Sequence, residues 1–320
     1  MNIYIDKIRK PKFIDWEEIE KQGFNFVENI SGAEIILERD VHNSKNEFHK
    51  TVLLSHEPPL EERYKKNYEP NFRNKFYRVY STVSNTQNSR QIAPDSYYFW
   101  MPKKGIHILP SINEITGNLA FFGRFGKGID DEISKETFSK AKCSSLYPTR
   151  RKVVKELIGF DNSYIFGSEW DNAGLKINES PGRRNNFRKS KIEFIASNRF
   201  TYVLCLENCI LENYFTEKFW DALSAGAIPV YLGMPDVEER LSEDYFVDAR
   251  RFYNECEEEL NVNDLMSYLK SISPKRALEM IQNGSEFCKS EQKNKYKNRD
   301  KLTNSIIEDL NEHRSNFSEK

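Results

Sequence analysis

Leu204–Gly233 reads LCLENCILENYFTEKFWDALSAGAIPVYLG, and the order of its parts decides the fold. With Tyr202 and Val203 in front, the run YVLCL carries no charge, which predicts a buried strand. That strand ends at Glu207-Asn208. Thr216 stands where a helix can be capped, and Phe219, Trp220 and Leu223 share one side of a helix running to Ala225. Gly226 closes the helix, and Ala227–Leu232 (AIPVYL) forms the next strand, stopped by Gly233. Strand, loop, helix, glycine, strand is one βαβ unit.

The chemistry of this unit gathers at the start of its helix. Glu217 and Lys218 fall in the first turn, beside backbone N–H groups that have no partner within the helix. A diphosphate suits that place, because the helix end and Lys218 both supply positive potential. Glu217 is repelled by phosphate and is better matched to sugar or ribose hydroxyls. The residues alone equally allow an ordinary capped helix whose Glu217 and Lys218 face solvent.

Outward from this unit the pattern stays α/β. In the first half, strands are expected at Asn2–Ile5, Ala33–Leu37, Thr51–Leu54 and Phe76–Tyr80, with helical turns at Trp16–Gln22. Pro58 and Pro59 end the third strand, so Ser55–Glu57 sit at a strand exit, where α/β folds place chemistry. Asn85–Asp95 reads as a polar loop, and Tyr97–Trp100 as an aromatic cluster that suits either a sugar-lined cleft or a core. FFGRFGKG, Phe121–Gly128, lacks the glycine and the Ser/Thr of a phosphate loop and reads as a strand followed by an irregular turn. In the second half, Arg150–Ile158 has helical spacing with Val153, Val154 and Leu157 inward, and Tyr164–Phe166 is a strand candidate. Asn178–Arg188 reads as a mobile basic loop. Pro235–Leu241 and Val262–Ile272 are expected helices, with a short strand at Tyr245–Val247.

Composition narrows the class. The chain has 320 residues, enough for two domains. Its 48 Lys and Arg against 49 Asp and Glu leave a net charge of -1, which argues against a nucleic-acid partner. The sequence holds no 18-residue apolar run and no apolar signal core in Met1–Lys12, so no transmembrane segment and no membrane stem are expected. Five scattered cysteines (Cys143, Cys205, Cys209, Cys256, Cys288) favour a reducing compartment, and cytoplasmic placement, peripheral to a membrane at most, is expected. Cys205 and Cys209 lack a second pair, and the five histidines form no H-x-x-x-H, so no metal site is expected.

Three separated pieces, YVLCLENC, YFTEK and GAIPVYLG, together resemble the donor-binding signature of the α-1,3/4-fucosyltransferase family. That family's pattern is F-x-L-x-F-E-N-S, then Y-V-T-E-K, then a helix and G-x-[IV]-P-[IV]-x-x-G. The resemblance spans about residues 140–275, from PTRRKVVKEL through SEDYFVDARRF. Cys209 departs from the family's serine and Leu206 from its aromatic. The first change keeps the volume and the second keeps the apolar character.

The resemblance implies two facing Rossmann-like domains (the GT-B glycosyltransferase architecture) and an inverting hexosyl transfer from GDP-fucose to a glycan hydroxyl. The linkage implied is α-1,3 to N-acetylglucosamine or a related sugar. It implies donor contacts at Asn208, Tyr214, Glu217 and Lys218, and a diphosphate-clamping arginine at Arg150, with Arg151 the neighbouring alternative. It also implies a catalytic base after an early strand. Inverting transfer needs one group to take the acceptor's proton. The family's G-E-N-like element corresponds here to SHEPP, which puts the base at Glu57 and leaves His56 as the adjacent candidate. No D-x-D pair precedes the donor loop, Asp130 and Asp131 being adjacent, so no tightly bound cofactor or metal is expected, and a divalent cation enters only as an optional stimulant. The domain division expected is 1–130 for the acceptor, 131–300 for the donor, and 301–320 as a C-terminal helical tail, solvated or packed back across both. Two alternatives stay open: the same architecture with another nucleotide sugar or acceptor, and a non-catalytic nucleotide- or glycan-binding protein.

Overall fold

The computed structural model describes residues 1–5, 14–39, 47–55, 66–81, 86–91, 109–126, 143–168, 170 and 187–318. Glu57, His56, Tyr97–Trp100 and Asp130-Asp131 lie outside the described residues, as does the expected boundary between residues 130 and 131.

Two parallel sheets carry the chain. The first contains β1 (Asn2–Ile5), β2 (Asn25–Val27), β3 (Ile35–Arg39), β4 (Thr51–Ser55), β5 (Arg78–Ser81) and β6 (Ser89–Gln91) in the order β2-β1-β3-β4-β5-β6. All five pairings are parallel. Helix α1 (Trp16–Lys21) crosses from β1 to β2, and the short α2 (Pro70–Arg73) precedes β5. The second sheet holds β7 (Leu119–Phe122), β9 (Ser163–Phe166), β10 (Tyr202–Leu206), β12 (Ile228–Leu232) and β13 (Val247–Asp248), with β8 (Ser144–Ser145) and β11 (Cys209–Ile210) forming a separate antiparallel pair. Its order is β13-β12-β10-β7-β9, again all parallel. Both β10 and β12 are buried along their full length, which is why they read as continuous apolar runs rather than alternating ones.

Helices α3 (Tyr147–Leu157), α4 (Phe187–Ser197), α5 (Glu217–Ser224), α6 (Val237–Arg240) and α7 (Val262–Ser271) belong to the second half. Two apolar cores cover the two faces of the second sheet. One contains Val153, Val154 and Leu157 of α3 with Leu265, Met266 and Leu269 of α7. The other contains Ile192 and Ile195 of α4 with Phe219, Trp220 and Leu223 of α5. A buried ion pair, Lys191 Nζ to Asp221 Oδ2 at 2.5 Å, also ties α4 to α5.

In this strand order the chain steps from β7 outward to β9, then back across to β10. That is a topological switch point, and a crevice opens there beyond the strands' carboxyl ends. Ligand sites of open α/β sheets lie in such crevices. The exits of β7 and β10 therefore mark where the site belongs.

Helix α8 (Pro274–Ser318) spans both halves. Near its start, Phe287 stacks on Trp220 of α5 at 5.7 Å, and Cys288 meets Ser224 at 3.5 Å. Gly284 permits this contact, since a Cβ there would stand 2.7 Å from Leu223 Cδ2. Near its end, Leu302, Ile306, Ile307 and Leu310 are buried in the core of the first sheet. Asp309 is 1% exposed and receives Arg78 at 3.0 Å and Arg90 at 2.7 Å, with the Tyr80 hydroxyl donating to it as well. Residues 302–310 are thus part of the first domain's core.

Two loop expectations are corrected. Asn85–Asp95 contains β6, an edge strand whose polar sequence hides it; Ser89 and Arg90 pair with Val79 and Tyr80, and Arg90 reaches Asp309. The basic stretch ending at Arg188 runs into α4, which already begins at Phe187.

Candidate functional site

The site is built where β10 leaves its sheet. The antiparallel pairing of Cys209 with Ser145 and Ile210 with Ser144 lays the approach to α3 beside that exit. The Leu146 amide then donates to Asn208 O at 3.0 Å. Pro148 pre-sets the first turn of α3, and Arg150 follows one turn into the helix, pointing at the end of β10. Its guanidinium donates to Leu206 O at 2.6 Å and to Asn208 Oδ1 at 3.0 Å, and it lies 4.7 Å over the Tyr147 ring. Arg150 is 2% exposed, and among the described residues its Nε has no hydrogen-bond partner. Asn208 passes the contact on, its Nδ2 donating to the Tyr214 hydroxyl at 3.0 Å.

The loop into α5 bends at Asn213, whose φ of 59° is the left-handed conformation asparagine tolerates better than most residues. Tyr214 then packs with Tyr68, Cys143, Tyr147, Cys209 and Leu211, so a residue of the first half, Tyr68, touches the site. Burial raises the Cys209 thiol well above its ordinary pKa, as does its hydrogen bond with Cys143, which makes it a packing residue rather than a nucleophile.

Thr216 occupies the N-cap position of α5 but makes no capping hydrogen bond with its side chain, contrary to the sequence expectation. A competing acceptor takes it. The Glu207 carboxylate, fully buried, accepts from Thr216 N at 2.7 Å and from Thr216 Oγ1 at 2.7 Å. Lys218 Nζ donates to the same carboxylate at 3.0 Å and to Thr216 Oγ1 at 2.9 Å. Burial works against the ammonium's charge, but Glu207 and then Glu217 outweigh it and hold the Lys218 pKa above its ordinary value. Glu217 Oε1 lies 3.8 Å from Nζ, and its side chain is 33% exposed against 17% for Lys218.

The sequence-derived residues Arg150, Asn208 and Tyr214 are therefore linked by hydrogen bonds, with Glu217 and Lys218 paired at the start of α5. Arg151 lies over the Phe125 ring at 5.7 Å. Two contributors escaped the sequence reading. Glu207 looks like any strand-end carboxylate until the fold brings Thr216 and Lys218 to it. Arg124, in the turn after β7, donates from Nε to the Tyr147 hydroxyl at 3.3 Å and adds a second guanidinium to the face of that ring. The arrangement brings Arg150, Lys218 and the N-terminal end of α5 to the switch-point crevice, a setting that suits an anion. Among the described residues no group of three His, Cys, Asp or Glu side chains could hold a metal ion, and no helix is long and apolar enough to cross a membrane.

Residues 136–309 match the family model described as glycosyltransferase family 10 (fucosyltransferase) C-term. GDP-fucose protein O-fucosyltransferase 3 of Xenopus laevis is 35% identical over 83 residues, 26% of this chain and 16% of that protein. The alpha-(1,4)-fucosyltransferase of Arabidopsis thaliana is 24% identical over 142 residues, 42% of this chain and 33% of that protein. The chain thus spans a third or less of the length of these curated relatives. A crystal structure of alpha1,3-fucosyltransferase with GDP-fucose superposes with a TM-score of 0.54 at 16% identity, over 88% of this chain and 81% of that one. At that identity the likeness is one of fold.

Proposed function

This chain belongs to glycosyltransferase family 10, the fucosyltransferases, and has that family's GT-B architecture of two Rossmann-like domains; from that premise we propose that it transfers L-fucose from GDP-fucose to a glycan hydroxyl with inversion. The linkage proposed is α-1,3 to N-acetylglucosamine or a related sugar. The observation that carries the reading is the pairing of a buried Arg150 with Asn208 at the β10 exit, one loop away from Lys218 and the uncapped start of α5. In this reading Arg150 and Lys218 clamp the diphosphate, the α5 amides share its charge, and Tyr214 and Asn208 fix the donor side of the crevice. Glu217 accepts from a donor hydroxyl.

The reaction forms a bond from the acceptor oxygen to the anomeric carbon as the bond from that carbon to the diphosphate breaks. Glu57 takes the acceptor proton, and the charge left on GDP falls between Arg150 and Lys218. The leaving group is stabilised by fixed protein charge, so its departure requires no proton.

A panel of nucleotide sugars read for both hydrolysis and transfer tests the proposal. Turnover is expected with GDP-fucose and a glycan presenting N-acetylglucosamine. Because one relative is named a protein O-fucosyltransferase, the acceptor panel includes Ser- and Thr-bearing polypeptides. Turnover confined to another donor would replace the donor assignment; GDP binding without any turnover would make the chain a binding protein.

A further inference from the structure

The second half of the chain carries another cleft, beside the edge strand β13 of its sheet. Ser242, Glu243, Asp244 and Phe246, which lead into that strand, contribute to its lining, and so do Tyr268 near the end of α7 and Arg276 near the start of α8. The Tyr202 hydroxyl, at the first residue of β10, donates to Leu269 O of α7 at 3.2 Å, so this end of α7 lies at the amino ends of the strands. The Arg150–Asn208 pair lies at their carboxyl ends, about 15 Å away along the length of β10. The cleft has a volume of about 270 Å³, close to that of small-ligand sites.

Tyr268 is the first sign of a ligand. Helix α7 buries Val262, Leu265, Met266 and Leu269, one stripe at helical spacing. Tyr268 falls off that stripe and is 36% exposed, the one exposed large aromatic among the described residues. The Phe252 ring backs it at 5.5 Å. The rim is the second sign. Arg251 donates to Glu243, and Arg276 Nη2 donates to Asp244 Oδ1 at 3.2 Å and meets Glu279 at 3.8 Å. Ser242 Oγ donates to the other oxygen of Asp244 at 3.0 Å. The bond from Arg276, and then that from Ser242, hold the Asp244 carboxyl below the usual carboxylate range. Arg251, Glu243, Arg276 and Asp244 keep side chains 43–65% exposed. A guanidinium has five N–H donors and a carboxylate about four lone-pair sites, so each pair uses only part of its capacity.

This lining selects by chemistry. An anion brought to the two guanidiniums meets Glu243 and Asp244, and a cation brought to the carboxylates meets Arg251 and Arg276. A wholly apolar ligand would desolvate four charges without pairing them. Hydroxyl groups both donate and accept, which matches a rim of donor-only guanidiniums and acceptor-only carboxylates. A ring with C–H groups on one face also fits the electron-rich face of an exposed tyrosine.

We propose that this cleft is a second carbohydrate site, taking one neutral pyranose ring of a glycan with its C–H face on Tyr268 and its hydroxyls shared between the Arg251–Glu243 and Arg276–Asp244 pairs. It uses no residue of the donor cluster and goes beyond the transfer reading.

The test is 13C-methyl NMR on the methionine-labelled full chain. Met280 lines the cleft, and Met234, whose amide donates to the Tyr231 hydroxyl near the end of β12, is the control. The neutral probes are chitotriose, N-acetyllactosamine and maltotriose; the charged probes are a sulfated heparin disaccharide and fully deacetylated chitotriose. At least one neutral sugar is expected to shift Met280 saturably and leave Met234 in place. Tyr268→Ala should weaken that sugar about 10-fold, and Tyr268→Phe, which keeps the ring face, by less than about 2-fold. If Tyr268→Ala melts at the assay temperature, Asp244→Ala takes its place, with a several-fold loss expected and no loss overturning the proposal. No saturable Met280 shift with any neutral sugar, tighter binding of either charged probe, or unchanged affinity in Tyr268→Ala would overturn it. The readout needs no turnover, so a failure here leaves the transfer reading standing, and a failed transfer assay leaves this site standing.

Discussion

Lys218→Ala should weaken GDP binding by about one to two orders of magnitude and lower the melting temperature of the same variant. The first effect follows from the loss of a fixed ammonium beside the amides of α5, where charge-assisted hydrogen bonds are strongest. The second follows from what remains. Glu207 keeps its Thr216 donors but loses its counter-ion while fully buried, and stranding one partner of a buried pair costs about 3–5 kcal/mol. Calorimetry with GDP and a thermal melt check the two parts separately. GDP binding as tight as wild type would remove Lys218 from the donor site, whatever the melt shows.

Glu57→Ala should reduce transfer about 10²–10⁴-fold, the range a general base supplies, while GDP binding stays at the wild-type level. Its place in the chain supports this split. Strand β4 ends at the fully buried Ser55, so Glu57 follows by two residues the exit of a central strand in the first sheet. Among the described residues, the proposed donor cluster draws on the second half of the chain and on Tyr68. Rates and GDP affinity measured on the same preparation decide the matter. Undiminished transfer, or GDP affinity lost along with it, would take the base role from Glu57; His56→Ala is the control at the neighbouring position.

What could be read from the residues beforehand is what local physics determines. YVLCL and IPVYL are strands because an apolar run bounded by Glu207-Asn208 and by glycines has no other economical fate in a parallel sheet, and α5 follows from Phe219, Trp220 and Leu223 sharing a face. The hydrogen-bonded set Arg150–Asn208–Tyr214 became visible through a resemblance in motif, since Arg150 and Asn208 are 58 residues apart and nothing local joins them. The rest needed the fold. Thr216 carries every local mark of an N-cap, and a tertiary competitor, Glu207, overrides it. Arg124 became legible only when β7 and α3 came together at Tyr147. The end of α8 did carry a signal: Leu302, Ile306, Ile307 and Leu310 repeat at helical spacing, a stripe masked by the surrounding charge. β6 carried none, its Ser-Arg-Gln being held by an edge pairing and by a distant aspartate.

A crystal structure with GDP-fucose bound tests the central claim most directly. The diphosphate should lie at the start of α5, with Arg150 and Lys218 within roughly 2.7–3.0 Å of its oxygens and Glu207 still bonded to Thr216. A nucleotide bound away from the β10 exit, with Arg150 and Lys218 untouched, would contradict it.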